Sequence, residues 1–102
     1  MKIDRAWKLL DSPEKFAKKA YARNKDGESV RATVTSACSW CTVGALRKVY
    51  GKGNDFLVPR YLEARYRLQQ RIRTPAVYPD IVEWSDAHTW QEVHDCLKEW
   101  DI

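Results

Sequence analysis

Cys38-Ser39-Trp40-Cys41 is a Cys-x-x-Cys, and His88 and His94 are the two histidines available to join it. Such a pair does redox chemistry when it follows a strand at a helix N-terminus, where the dipole lowers a thiol pKa. Here both cysteines fall on the apolar stripe of a predicted helix with no βαβ pattern around it, which predicts small core hydrophobes instead. Zinc is the sharper alternative, with Cys38 and Cys41 joined by His94 or Cys96 and by His88. A structural zinc site favours two tight pairs, and His94-Asp95-Cys96 is an awkward second one. Asp86, Glu92 or Asp95 can orient a histidine for acid–base work. But His88 falls in a turn beside a helix cap and His94 follows a core valine, so both are expected at the surface. No Ser/His/Asp arrangement declares itself. The residues assign no catalytic group and no cofactor, and an enzyme is the minority reading.

Basic residues are the better lead. Lys15, Lys18, Lys19, Arg23 and Lys25 line one predicted helix and its exit, and Arg47, Lys48 and Lys52 end another. Arg60, Arg67, Arg71 and Arg73 line a third, where the planar guanidinium fork suits phosphate or carboxylate. Tyr66 among them can stack on a base. The nucleic-acid set is therefore Lys18, Lys19, Arg23, Arg60, Arg67 and Arg71. Against it, basic residues on outer faces are commonly just solvated, those near helix ends complement the dipole, and no helix-turn-helix signature is present. The net charge of +4 conceals a split of +10 over residues 1–79 and −6 over residues 80–102. Either the surface carries two poles, or the acidic end packs against the basic helices and compensates them.

The elements that must position these groups read as helices. Val34 to Tyr50 has apolar residues at Val34, Ala37, Cys38, Cys41, Ala45, Leu46 and Val49, one helix face, and the rest of the chain is expected to pack around it. Gly44 within it predicts close backbone contact, and Gly51 a stop. Ile3–Leu10 predicts a short helix. A second starts at Asp11 or Ser12, with Pro13 in its first turn, and runs to about Arg23. Asn24–Gly27 is a turn. Ser29–Thr33 has strand character but no evident partner, and a lone strand is not stable. Gly51–Asp55 is a loop without the spacing of a phosphate loop. A helix over Pro59–Arg73 would bury Tyr61, Leu62, Leu68 and Ile72. Thr74–Pro79 is extended, and Asp80–Trp84 is a helical turn. Thr89-Trp90-Gln91-Glu92 is a capping box for a last helix that buries Val93, Cys96, Leu97 and Trp100. The expectation is an all-α fold, a compact single-domain bundle of four to five helices over residues 1–102. Three cysteines, no apolar run of about 18 residues and no signal-peptide pattern at the N-terminus place it in the cytoplasm, with reduced thiols and no membrane contact.

Two segments resemble an uncharacterised family of small bacterial and phage proteins. Cys41-Thr42-Val43-Gly44-Ala45-Leu46 is similar to that family's Cys-x-x-Gly-Ala-Leu helix. Trp84-Ser85-Asp86, then Thr89, Glu92, Val93 and Leu97, is similar to its Trp-Asn-Asp segment and Thr-x-x-Glu-Val-x-x-x-Leu. Ser85 departs from the usual asparagine and Trp100 from a small residue. The resemblance implies a small helical domain of bacterial or phage origin and carries no activity.

The leading expectation is thus a non-enzymatic interaction protein, of phage or mobile-element type, that binds and modulates or inhibits a host protein or defence complex. Trp40, Trp90, Asp95 and Glu99 are its partner-binding candidates, since tryptophan suits hot spots and charge steers encounter. Exposure of Trp40 or Trp90 supports this reading and burial counts against it. A nucleic-acid-binding domain is the alternative, and a metal-binding or catalytic domain around Cys38, Cys41 and His94 the weaker one.

Overall fold

Thr89 opens the element that the sequence marks most clearly. In the computed structural model, which describes residues 3–51, 58–72 and 81–102, the Thr89 hydroxyl accepts from the Glu92 N–H at 3.2 Å and the Glu92 carboxylate accepts from the Thr89 N–H at 2.9 Å. This capping box starts helix α5, Trp90–Trp100. The helix closes on Asp101 in the left-handed region at φ 53°. There the Ile102 N–H reaches back to the Leu97 carbonyl at 2.9 Å and the Asp101 N–H to the Lys98 carbonyl at 3.2 Å, the paired bonds of a Schellman end. The other helices are α1 (Ala6–Leu9), α2 (Thr42–Tyr50), α3 (Pro59–Ile72) and α4 (Ile81–Ala87). Helix α2 stops at Gly51, as its sequence predicts, with the Gly51 N–H on the Arg47 carbonyl at 2.9 Å. The expected Thr74–Pro79 segment, the loop beyond Gly51, and Lys52, Arg73 and Asp80 lie outside the described residues.

The fold is not all-α. Three two-residue strands, β1 (Ala22–Arg23), β2 (Ser29–Val30) and β3 (Ser39–Trp40), form an antiparallel sheet in the order β2-β1-β3. Ala22 pairs with both Val30 and Trp40, and Arg23 with both Ser29 and Ser39. The chain is therefore mixed α/β, and two expected helices are corrected. Of the helix expected up to Arg23, only a 3₁₀ turn at Pro13–Lys15 forms. The chain beyond it turns extended, Phe16 bridges Trp40 in parallel, and Lys19 sits at φ 61°, where a helix cannot continue. Of Val34–Tyr50, only the part from Thr42 is helical. Cys41 is its N-cap, with its sulfur 3.4 Å from the Gly44 N–H. The partner that Ser29–Val30 lacked in the sequence is β1, reached through the Asn24–Gly27 turn. Gly27 supplies φ 81° there, and the Asn24 side chain accepts from the N–H groups of Asp26 and Glu28, each at 3.0 Å.

The core gathers Ala6, Leu9 and Leu10 of the α1 region, Val43, Ala45 and Leu46 of α2, Tyr61, Ala64, Leu68 and Ile72 of α3, Ile81 and Trp84 of α4, and Val93 and Leu97 of α5. Leu62 is 45% exposed rather than inward, because Ala64 completes the Tyr61, Leu68, Ile72 stripe and Leu62 stands off it. Gly44 carries the closest backbone approach. A Cβ there would lie 1.8 Å from the Tyr21 carbonyl oxygen, so only glycine admits this crossing of β1's entry over α2. The Ile102 carbonyl accepts from the Ala6 N–H at 2.7 Å and the Tyr50 hydroxyl at 2.6 Å, joining α1, α2 and the end of α5.

Candidate functional site

Helix α3 turns its apolar stripe to the core and its charge outward. Arg60, Glu63, Arg65, Tyr66, Arg67, Gln70 and Arg71 are exposed, and Tyr66, at 65%, is the most exposed of the large hydrophobic residues described. Arg60, Arg67 and Arg71 fall at i, i+7 and i+11, one flank of the helix, and Arg65 falls on the other. Among the described residues, no carboxylate lies within ion-pair distance of any of these four arginines. The ion pairs join Arg5 to Asp4 and Asp101, Lys8 to Asp4, Lys15 to Asp11, and His94 to Asp95. The carboxylates of Glu92, Asp95 and Glu99 lie instead along the solvent side of α5. Of the two charge arrangements open to the sequence, compensation is partial: Asp101 of the acidic end pairs with Arg5, while the α3 arginines and the α5 carboxylates form no ion pair with each other among the described residues.

At the inner flank of α3 a cleft of about 160 Å³ is lined by Arg5, Tyr50, Arg60, Glu63, Ala64 and Arg67. Among the described residues three guanidinium groups and one carboxylate, Glu63, line it. Arg5 is steered by Asp101, whose carboxylate accepts its Nε–H at 3.2 Å, and by the Asp4 carbonyl at 2.9 Å. The hydrogen bonds from Trp7 and Arg5 hold the Asp101 carboxyl below its ordinary pKa. Arg67 donates to the Trp100 carbonyl at 3.0 Å. Arg60 sits with its guanidinium 5.8 Å from the centre of the Tyr50 ring. Burial pushes the Tyr50 phenol up, so it stays a donor, and its proton is spent on the Ile102 carbonyl. The arrangement presents fork-shaped donors from α3 and from the residue that precedes α1 to one volume and suits an oxyanion.

Other candidates fare differently. Arg23 is spent inside the fold, on the Gly27 carbonyl at 2.9 Å and the Lys18 carbonyl at 3.2 Å. Lys18 and Lys19 are exposed on the segment before β1, away from α3 in sequence and element. Trp40 is 6% exposed, with its indole N–H on the Ala32 carbonyl at 2.9 Å. That corrects its expected role as an exposed anchor: it packs the sheet against the core. Trp90 is half-buried and donates to the Leu10 carbonyl at 2.7 Å. Asp95 and Glu99 are exposed, as a partner face needs.

Cys38, Cys41 and His94 are not brought together, and among the described residues no group of three or more His, Cys, Asp or Glu is placed to hold a metal. Cys41 is buried, and burial pushes its thiol up. His94 is half-buried, not surface, with ring centroids 5.2 Å from Trp90 and 6.2 Å from Trp7. His88 is likewise half-buried, with Nδ1 2.6 Å from the Trp84 carbonyl. Both histidines serve the aromatic packing around α4 and α5.

Sequence reasoning found Arg60 and Arg67 but missed Arg5, Tyr50 and Glu63. Glu63 was findable, one helical turn from both Arg60 and Arg67. Arg5 carries no local signal, because what fixes it is Asp101 at the far end of the chain.

Among the described residues no helix is long and apolar enough to cross a membrane. No curated protein and no solved structure matches the chain. The segments that suggested an uncharacterised family meet in space, where the Thr42 hydroxyl and N–H both donate to the buried Ser85 oxygen, at 2.8 and 3.1 Å. The profile of a family of unknown function, DUF6197, matches residues 2–100, and the chain belongs to that family.

Proposed function

We propose that this protein is a nucleic-acid-binding domain whose contact element is the outer face of α3. The observation that carries this reading is the row of three arginines on one flank of α3, Arg60, Arg67 and Arg71, left without a carboxylate partner among the described residues. Cations left without carboxylate partners along one helix flank produce a surface field, and a polyanion is what such a field attracts. The helix is about 21 Å long at 1.5 Å per residue, so it can follow several phosphates of one strand. Tyr66 stands beside the arginines and offers a ring for stacking. Lys18, Lys19 and Arg23 leave the contact set or move to its margin, for the reasons of placement given above.

The test is binding of random duplex DNA, single-stranded DNA and RNA over a salt series. The expected result is an affinity whose logarithm falls linearly with the logarithm of salt concentration. Arg67→Ala and Arg71→Ala should each lower that slope by about 1. No binding at low salt to any of the three sinks the reading.

A second reading, a binder of a host protein or defence complex, is favoured by one observation. Leu62 and Tyr66, one turn apart on α3, are 45% and 65% exposed, and a tyrosine flanked by arginine is a common hot-spot composition. With Trp40 buried, this pair replaces the tryptophans as the anchor.

A further inference from the structure

We propose that the cleft between α1, the end of α2 and α3 is a discrete phosphate site, built to take a terminal phosphate group rather than a phosphodiester in passing. The inference deepens the nucleic-acid reading and rests on it for the choice of phosphate among oxyanions. The geometry itself is independent of that choice. Two of the three guanidinium groups are fixed before any ligand arrives. Arg5 is held by Asp101 and the Asp4 carbonyl, and Arg67 by the Trp100 carbonyl. An arginine has five N–H donors, so each keeps several beyond those bonds. The third, Arg60, has no ion pair among the described residues and rests over the Tyr50 ring, free to swing onto an oxyanion. Among the described residues three arginines and Glu63 line the cleft, with Asp101 and Asp4 paired to Arg5 beside it, so Arg60 and Arg67 are the cations without a carboxylate partner. The volume of about 160 Å³ is room for a phosphate group. A terminal phosphate bears a second negative charge that a diester lacks, and convergent forks reward that charge.

Two sources share this chemistry, a 5′-phosphorylated strand end and a free phosphate compound, and one set of measurements separates them. Titration of the full chain with pyrophosphate should show saturable binding. Arg60→Ala should weaken it by about tenfold, the loss of a charge-assisted hydrogen bond. Arg65→Ala, on the opposite flank of the same helix, should leave it within about twofold. Neither side chain is in the core, so both variants should fold, and thermal unfolding checks this. Absence of pyrophosphate binding, or equal weakening by the two variants, overturns the site in favour of a diffuse field. A 5′-phosphorylated oligonucleotide that binds tighter than its 5′-hydroxyl counterpart, with the preference lost in Arg60→Ala, assigns the site to strand ends. No preference alongside Arg60-dependent pyrophosphate binding assigns it to a free phosphate compound. Salt-dependent strand binding weakened alike by both variants keeps the nucleic-acid reading and discards the site. Pyrophosphate binding without strand binding does the reverse.

Discussion

Gly44 fixes where the sheet meets α2, and it does so by lacking a side chain. A Cβ 1.8 Å from the Tyr21 carbonyl oxygen has no soft neighbour to displace. Gly44→Ala should therefore cost about 3 kcal/mol or more, despite alanine's better helix propensity. Urea denaturation reads this directly, and a stabilised variant would refute the contact. The cysteines offer a second prediction at this scale. Cys38 is exposed, Cys96 intermediate and Cys41 buried. Alkylation of the native protein, followed by peptide mass analysis, should label Cys38 first and Cys41 only on unfolding. Burial raises the Cys41 thiol above its ordinary 9.0. The unfolded chain therefore releases this proton at lower pH than the folded one. The stability linked to it is fully present below about pH 9 and is lost as pH rises through the folded value.

Helix α5 shows how a single element was written in the sequence and how another was not. Thr89 and Glu92 are three residues apart, so the whole capping box is local and legible. Thr89→Ala should cost about 1 kcal/mol, a fall in melting temperature of roughly 4–8 °C for a chain of this size. On the same helix, the Thr89 backbone lowers Glu92, Gln91 and then His94 lower Asp95, and Trp7 and then Arg5 lower Asp101. Groups depressed in this way contribute stability above their ordinary values of 4.5 for Glu and 3.8 for Asp, and lose it as pH falls through the folded values. The urea midpoint should therefore fall as pH drops below about 4.5, and indifference to that range would contradict these contacts. Helix α3 was as legible as α5, from Pro59 and a regular stripe. The sheet was not. Its strands are two residues each, too short to carry an alternation, and β3 borrows Trp40 from a stretch whose cysteines imitate a helix face at i and i+3. What makes that stretch extended is Phe16, Ala22 and Arg23 pairing across it, contacts that no window of the sequence contains. The same holds for the cleft. Its α3 half could be read from one helix, while Arg5 is positioned by a residue more than ninety places away.

At the scale of the whole molecule, charge and closure are the two organising facts. Basic α3 and acidic α5 form no ion pair with each other among the described residues, so a polyanion should approach from the arginine flank of α3. Closure rests on the Ile102 carbonyl, which accepts from both Ala6 and Tyr50. Tyr50→Phe removes one of these two donors. It should cost about 1 kcal/mol without opening the cleft, since Ala6 still holds the carbonyl. Equal stability of wild type and variant in chemical denaturation would show that bond to be idle. The same joint has a bearing on how the chain is made. Helix α1, four residues long, is too short to hold itself together, and its first N–H is paired by the Ile102 carbonyl. At about 5–20 residues per second of synthesis, that partner follows roughly 5–20 s later. For that interval the apolar side of α1 has no seat on α5, so the ribosome-bound chain should recruit a chaperone at its N-terminal end, and a proteolytic nick there should be more frequent on stalled chains than on released ones.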